Sequence, residues 1–302
     1  MAQSKITFIY AYEEENWSTP MALANEFMNQ GWECEVVSIG SNRTGQYHDR
    51  GINEWLDKKP NSDIVIFLDW GRFDSPLLNK EKLPSAFWVQ ESGDDPQNFE
   101  RNFPKADRFN ITLSPDADST NEYKKRGIDA YWFTHFADTA VQFPIDVIEP
   151  EYVAVTSRGI GGSQFLDLLT QHGGGTVGNK NGMEAPEHTE FLNKGLMVVQ
   201  HSRWGEVTRR IFEGMACGKM VLCDRLDKSK KLEELFTDGE DIGSQNLPHF
   251  LPDKMAKKAF ILVTGLCLFF MGAAAMILQS NPDDPGTKPR SFIGDDGRYN
   301  GQ

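Results

Sequence analysis

Hydrophobic residues in the first half of the chain come in short runs, and segments with a helical period separate these runs. Short apolar runs are typical of buried strands, whereas apolar positions three and four residues apart are typical of an amphipathic helix. Strands that alternate with helices indicate a parallel sheet covered on both faces. The pattern predicts strands at 6–12, 32–40, 63–70, 85–92, 109–114 and 129–135, helices over 19–31 and 51–59, and a further helix that ends in 121–127.

The same alternation starts again after residues 137–151, a segment that contains two prolines and no helical period. Such a segment is typical of a link between domains. We therefore predict an α/β protein with two tandem Rossmann-like domains, residues 1–145 and 146–243, of which the second is truncated. The predicted elements of the second domain are strands at 152–157, 195–201 and 219–225, and helices at 164–173, 207–218 and 231–241.

The alternation of strands and helices ends at residue 243. Residues 244–258 form a predicted linker, and residues 259–278 are twenty residues without a charge. A helix of about 20 apolar residues is long enough to cross a bilayer. The last segment, 279–302, is polar and rich in glycine and proline, so we predict that it is disordered.

Two interpretations of the apolar run stay open. A transmembrane helix is one, and Lys254, Lys257 and Lys258 in front of it would keep both domains on the cytoplasmic side. The other is a fused reading frame, because Met255 and two lysines before an apolar run resemble the start of a separate membrane or secreted protein. A buried core helix is disfavoured because the run has no polar face. We predict a cytoplasmic protein, to which the first interpretation adds a membrane contact through 259–278.

Composition narrows the choice of partner. The formal net charge of -13 disfavours nucleic acid or an anionic lipid surface as a general partner, yet it allows a small anion in a locally basic pocket. The four cysteines form no CxxC pair, and the six histidines show no metal-ligand spacing. We therefore predict a reducing compartment and neither a metal site nor another cofactor.

Two loops of the second domain combine glycine with arginine where predicted strands end, which is where open parallel sheets bind ligands. The first, RGIGG at 158–162, lets backbone N–H groups approach a phosphate. The second, RWGEVT at 203–208, leads into a helix whose free N–H groups and dipole suit a diphosphate. The predicted phosphate-binding residues are Arg158, Gly159, Gly161, Arg203, Thr208 and Arg209.

Glu213 lies about one turn into that same helix. A carboxylate at this position can accept hydrogen bonds from a ribose diol while the phosphates rest on the start of the helix. The alternative is a salt bridge on a solvated face, because a glutamate among arginines most often has that role.

The segment RWGEVTRRIFEGMACGKMVLCDR (203–225), with LEELFTDGEDI after it, resembles the nucleotide-sugar motif of GT-B glycosyltransferases. It is most similar to the spore-maturation-type (CgeB-like) glycosyltransferase family of bacteria and phages. SGDDPQNF (92–99), the run 111–132 and HFAD (135–138) resemble the N-terminal domain of that family, so the likeness covers about residues 1–243.

The resemblance implies a GT-B fold and an enzyme, a glycosyltransferase. Because no metal site is evident in the sequence, we predict that this enzyme needs no metal. Such an enzyme moves a sugar from a nucleotide-sugar donor to an acceptor in the cleft between the domains. It also implies that Glu213 holds the donor ribose. Glu206 matches an acidic residue that touches the donor sugar, although it lies one position closer to Glu213 than is usual. The acceptor, whether a glycan, a protein or a small molecule, does not follow.

Two further positions carry candidate chemistry. His135 ends a predicted strand and is a candidate general base facing the cleft, although a lone histidine there is more often structural. Asp116, Ala117 and Asp118 spell the D-x-D that metal-dependent glycosyltransferases use. They stand between a predicted strand and a helix, so we predict a helix N-cap instead.

A second class of function stays open as well. The second domain ends before the additional helices found in GT-B relatives. A nucleotide-sugar or partner-binding module without catalytic activity is therefore the alternative to a transferase.

Overall fold

The computed structural model describes eleven stretches of the chain. They are residues 4–10, 19–38, 55–69, 83–93, 95–147, 152–155, 177–178, 185–200, 202, 204–223 and 226–237. The predicted linker, apolar helix and tail at 244–302 lie outside these residues, as do Arg158, Gly159, Gly161 and Arg203.

The first half of the chain forms a parallel sheet of six strands in the order β2-β1-β3-β4-β5-β6. All six predicted strands are confirmed within the described residues, although the last is three residues long where seven were predicted. The strands are β1 (Lys5–Tyr10), β2 (Glu33–Ser38), β3 (Ile64–Asp69), β4 (Phe87–Ser92), β5 (Ile111–Ser114) and β6 (Ala130–Trp132). Their helices are α1 (Thr19–Asn29), α2 (Phe99–Ala106) and α3 (Ala117–Lys125), and residues 55–57 are also helical.

Burial along the central strands shows that helices cover both faces of this sheet. The five consecutive residues from Ile64 to Leu68 in β3 are each at most 2 % exposed. Successive side chains of a strand point to opposite faces, so a continuous run of buried residues requires cover on both. Helix α2 was not predicted, because Pro104 lies within it and proline disfavours a helix interior.

The second half forms a smaller parallel sheet of four strands in the order β10-β9-β7-β8. Strands β7, β9 and β10 confirm the prediction, whereas β8 and α4 were not predicted. The elements are β7 (Tyr152–Val155), β8 (Val177–Gly178), α4 (Ala185–Lys194), β9 (Gly195–Gln200), α5 (Arg209–Ala216), β10 (Met220–Cys223), a 3-10 turn (Lys228–Lys230) and α6 (Leu232–Leu235).

The predicted helices of this half differ in outcome. The helix at 207–218 is confirmed as α5. The predicted helix at 231–241 is described only as far as residue 237, and within that part just four residues are α-helical. The predicted helix at 164–173 lies outside the described residues. Both sheets belong to one compact unit, and the domain boundary at 145/146 stays a prediction.

The strand order changes direction at the first strand of each sheet. The chain leaves β1 for β2 on one side and then crosses to β3 on the other, and it leaves β7 for β8 and then crosses to β9. Ligands of open α/β sheets bind at such switch points, outside the carboxyl ends of the strands. A ligand is therefore expected beyond the carboxyl ends of β1, β7 and β9.

Close packing brings α5 onto the second sheet. A Cβ on Gly214 would lie 3.0 Å from Val221 Cγ2 and 3.1 Å from Val198 Cβ, so only glycine fits without displacement. Gly218 follows the helix with φ +70°, the left-handed conformation that commonly ends helices. The small residues of the FEGMACG segment therefore place α5 against β9 and β10.

In the stretches that the structure covers, no helix is both long and apolar enough to cross a bilayer. The candidate transmembrane segment at 259–278 is not among them.

Replacing Gly214 with alanine should lower the free energy of unfolding by about 1–3 kcal/mol, because the new methyl group overpacks the contact with Val198 and Val221. Urea unfolding followed by circular dichroism measures the change. Gly127→Ala is the comparison, since Gly127 has open space around it and φ +84°. Gly127→Ala should lower the free energy of unfolding by about 1 kcal/mol, and this change should come from backbone conformation alone. If Gly214→Ala leaves the stability unchanged, the close packing of α5 is wrong.

Candidate functional site

Helix α5 begins where the loop after β9 returns to the sheet, and Thr208 is its N-cap residue. The backbone of Thr208 has the extended conformation of an N-cap, but its side chain makes no capping hydrogen bond. Thr208 is 6 % exposed, and within the described part of the chain its Oγ1 has no hydrogen-bond partner. A buried hydroxyl group is thus left over at the start of this helix.

A buried ion pair lies one turn further along α5. Glu213 is 7 % exposed, and its Oε1 lies 2.9 Å from Arg209 Nε. Arg209 also donates from Nη1 to Thr19 Oγ1, at 3.0 Å. Thr19 begins α1, the helix after β1, so the arginine connects the start of α5 with the start of α1. The Glu213 side of α5 therefore faces the first sheet and its helices.

Two histidines share this environment. His188 of α4 places Nδ1 3.8 Å from Glu213 Oε2, and burial lowers the pKa of His188 while the Glu213 charge opposes the shift. Burial lowers the pKa of His135 to about 4; the positive charges of Arg209 and Arg210 add to the effect, and Glu213 opposes it. Both imidazoles are therefore neutral near pH 7, when they can accept a hydrogen bond.

Glu206 has a different environment. Its Oε2 accepts hydrogen bonds from Ser202 Oγ and from the Trp204 backbone N–H, each at 2.8 Å. Its backbone N–H donates to Ser202 Oγ at 2.7 Å. These contacts hold the loop before α5 in one shape and leave the Trp204 side chain 47 % exposed. A catalytic role for Glu206 stays a prediction.

The D-x-D segment caps a helix, as predicted. The Asp116 side chain accepts a hydrogen bond from the Ser119 backbone N–H at 2.8 Å at the start of α3. Asp116 Oδ1 also lies 2.8 Å from Lys230 Nζ, so a lysine of the second half neutralises it. Among the described residues, no group of three or more histidine, cysteine and acidic side chains has the geometry of a metal site.

Asp95 lies in a buried polar network next to Asp116. It accepts hydrogen bonds from Ser92 Oγ, from Ser114 Oγ at 2.9 Å and from Asn102 Nδ2 at 3.2 Å. Burial raises the pKa of Asp95 to about 7, and the nearby Asp116 charge adds to this effect, whereas the hydrogen bonds reduce it. The carboxyl group is 1 % exposed and turned inward, so it belongs to the core at the end of β4 and β5.

The structure thus brings together Glu213, Arg209, Thr208 and His135 out of the predicted site residues. Sequence reasoning missed His188 and Thr19. The only signal for His188 was its position in a polar segment whose helical period was not recognised. The pattern marked Thr19 only as the start of a helix and gave no sign of its contact, because its partner is 190 residues away.

Comparison with protein-family models gives one match. A family model described as glycosyl transferase-like matches residues 159–262, about a third of the chain. The match includes α4, α5 and their strands. A search of curated protein sequences found no relative.

Three solved structures share the fold. The N-terminal domain of trehalose-6-phosphate phosphatase from Candida albicans has a TM-score of 0.57 and 8% identity, and covers 92% of this chain and 97% of its own. Starch synthase IV from Arabidopsis thaliana, whose catalytic domain was solved with ADP and acarbose, has a TM-score of 0.54 and 9% identity. The match covers 92% of this chain and 100% of that catalytic domain. Sucrose-phosphate synthase from Thermosynechococcus elongatus has a TM-score of 0.52 and 8% identity, and the match covers 91% of this chain and 99% of the synthase.

Together these comparisons define the class. The chain has an α/β Rossmann-like fold with parallel sheets, which these three structures share, and residues 159–262 match the glycosyl transferase-like family model. The family model supports glycosyl transfer in general for the segment that it matches, and the solved structures support the fold. The narrower likeness to the spore-maturation-type family stays a prediction.

The low pKa of His135 should make stability depend on pH. The unfolded state binds a proton near the ordinary histidine pKa of 6.5 and the folded state only near 4. The contribution is therefore present above about pH 6.5 and is lost as the pH falls towards 4. His135→Gln should reduce this loss by on the order of 1 kcal/mol, measured by urea unfolding at several pH values. His188→Gln should change the pH profile in the same direction, since the pKa of His188 is lowered too. Identical pH profiles for wild type and His135→Gln would contradict the assignment.

Asp95 should have the opposite effect on stability. Its folded pKa of about 7 lies above the ordinary 3.8, so its contribution is present below about pH 3.8 and is lost as the pH rises to 7. Asp95→Asn keeps the shape of the side chain and removes the charge. It should therefore raise the free energy of unfolding at pH 8 by on the order of 1 kcal/mol. Glu100→Gln, at an exposed position of α2, is the control and should change nothing. A variant less stable than wild type at pH 8 would show that the carboxylate form is the one required.

Proposed function

We propose that this protein transfers a sugar from a nucleotide-sugar donor to an acceptor held between its two sheets, and that the donor diphosphate binds at the start of α5. One observation carries the proposal. The start of an arginine-flanked helix holds a buried hydroxyl that has no partner among the described residues, and the same helix carries a buried carboxylate on the side that faces the first sheet.

The start of α5 suits a diphosphate for three reasons. Its first N–H groups have no partner within the helix, and its dipole favours a negative charge. Arg209 and Arg210 add positive charge at that end. The Thr208 hydroxyl, left without a partner among the described residues, can donate to an anionic oxygen. Leaving such a group unsatisfied costs about 1–3 kcal/mol, which a bound phosphate would recover. In the proposal Arg158, Gly159, Gly161 and Arg203 extend this site.

Glu213 is the proposed contact for the donor ribose. A carboxylate has about four positions at which it can accept a hydrogen bond, and Arg209 takes up only part of this capacity. Arg209 and the nearby His188 hold the carboxylate in place before the ligand arrives, so little ordering is needed on binding.

The chemistry requires that the leaving diphosphate be stabilised and that the acceptor hydroxyl be oriented. In this proposal the start of α5 and its arginines stabilise the developing charge without a metal ion. His135 is neutral near pH 7, and it lies close enough to Arg209 for the positive charge to lower its pKa. In this proposal the neutral imidazole accepts a hydrogen bond from a substrate hydroxyl. A pKa of about 4 makes it a weak base, which favours this orienting role. Glu206 would act by shaping the loop before α5.

Compartment and membrane contact are also part of the proposal. We propose a cytoplasmic protein, with residues 259–278 as its route to a membrane. The ADP in the starch synthase IV structure supports a nucleoside diphosphate as the ligand type for this fold.

Glu213→Gln and Thr208→Val should each weaken binding of UDP- or ADP-sugars by about 10- to 100-fold in calorimetry, because each removes a hydrogen bond to the ligand. Thr208→Val should make the unliganded protein at least as stable as wild type, since it removes a buried hydroxyl that bonds to no other group among the described residues. Glu190→Gln is the control; Glu190 is exposed on α4 and pairs with Lys194, so donor affinity should not change.

Donor affinity that is the same in wild type, Glu213→Gln and Thr208→Val would overturn the assigned site. Binding of the donor without transfer or hydrolysis would favour the alternative, a binding module without catalysis.

A further inference from the structure

A second group of contacts joins the two halves of the chain, away from Glu213. Ser229, Lys230 and Lys231 of the second half meet Asp116, Asp118 and Trp132 of the first half, and we call these six residues the clasp. Lys230 Nζ lies 2.8 Å from Asp116 Oδ1 and 2.9 Å from Asp118 Oδ2. Ser229 Oγ donates to Asp118 Oδ2 at 2.9 Å, and Lys231 Nζ lies 5.0 Å from the centre of the Trp132 ring.

Burial separates the clasp from an ordinary surface salt bridge. The side chains of Lys230 and Asp116 are 13% and 1% exposed, respectively. Exposed ion pairs contribute little, whereas removing one partner of a buried pair leaves a charge in a poorly solvated place. Such a pair adds little net stability, yet each of its charges needs the other in place.

Hydrogen bonds within each half also hold the two sides of the clasp. Asp116 is fixed because it caps α3, and Trp132 Nε1 donates to the Pro115 carbonyl oxygen at 3.2 Å. On the other side, Asp227 caps the 3-10 turn by accepting from the Ser229 backbone N–H at 2.9 Å. The clasp therefore joins two ordered surfaces rather than two freely moving side chains.

The position of the clasp gives it a consequence for the site. Asp116 follows the carboxyl end of β5, and the 3-10 turn follows the carboxyl end of β10. The Arg209–Thr19 hydrogen bond also joins carboxyl ends, those of β9 and β1, through the helices after them. Two separate contacts thus fix how the ligand-binding edges of the two sheets face each other.

We infer that Lys230 is a positioning residue, which holds the carboxyl edges of the two sheets at the separation needed for sugar transfer. The inference rests on the proposed function, because only a reaction between ligands on the two sheets needs that separation. A displacement of about 1 Å between reacting groups can lower a rate by about 100-fold. Lys230 touches neither donor nor acceptor in this account, so its effect should fall on turnover and not on donor affinity.

The test compares Lys230→Met, which keeps the length of the side chain and removes its charge, with Lys230→Arg, which keeps the charge. Lys228→Met is the matched control, because Lys228 lies in the same 3-10 turn and is exposed. Asp118→Asn is a milder variant, since the Asp118 side chain is 43% exposed. Small-angle X-ray scattering without ligand measures the separation of the halves. Calorimetry measures the affinity for UDP- or ADP-sugars, and consumption of the donor measures turnover.

We expect Lys230→Met to increase the radius of gyration and to lower turnover by about 10- to 100-fold with unchanged donor affinity. Asp118→Asn should show a smaller change of the same kind, while Lys230→Arg and Lys228→Met should resemble wild type. If Lys230→Met does not fold, Asp118→Asn decides. Wild-type radius of gyration and turnover in the folded variants would overturn the inference. If wild type binds no donor, the proposed function fails, and scattering alone still decides whether the clasp holds the halves together.

Discussion

The contact on which the rest of the site depends is the ion pair between Arg209 and Glu213. Both side chains lie on one turn of α5, yet the arginine also reaches Thr19 at the start of α1. An i,i+4 pair on an exposed helix would contribute only a few tenths of a kcal/mol. Here the glutamate is buried, so the arginine has to offset its loss of hydration. Both side chains are therefore kept at the junction of the two sheets.

Three further features define the site. The low dielectric that strengthens the ion pair also disfavours protonation of His135 and His188, so both stay neutral near pH 7. The close contact of Gly214 with Val198 and Val221 fixes the height of α5 above the sheet, and hence the position of Glu213. The polar loop between Ser202 and Glu206 fixes where the helix begins.

Sequence reasoning found the strands and missed several helices for identifiable reasons. Buried parallel strands are continuous apolar runs, which are visible from local composition alone, and β1, β3 and β9 were predicted for this reason. Helix α2 contains Pro104, and α4 begins in a polar segment, so neither gave a clear local signal. Tertiary packing on the sheets stabilises these helices despite their weak intrinsic preference.

The sequence by itself determined the α/β class, the location of most strands, the helix that carries Glu213 and the N-cap at Asp116, because these depend on residues close together in the chain. Only the tertiary structure decided which distant groups surround them. Thr19 meets Arg209 across 190 residues, and Lys230 meets Asp116 across 114. Contacts of this kind depend on how two sheets pack, and electrostatic effects such as the low pKa of His135 depend on the burial that the packing creates. No local pattern encodes either.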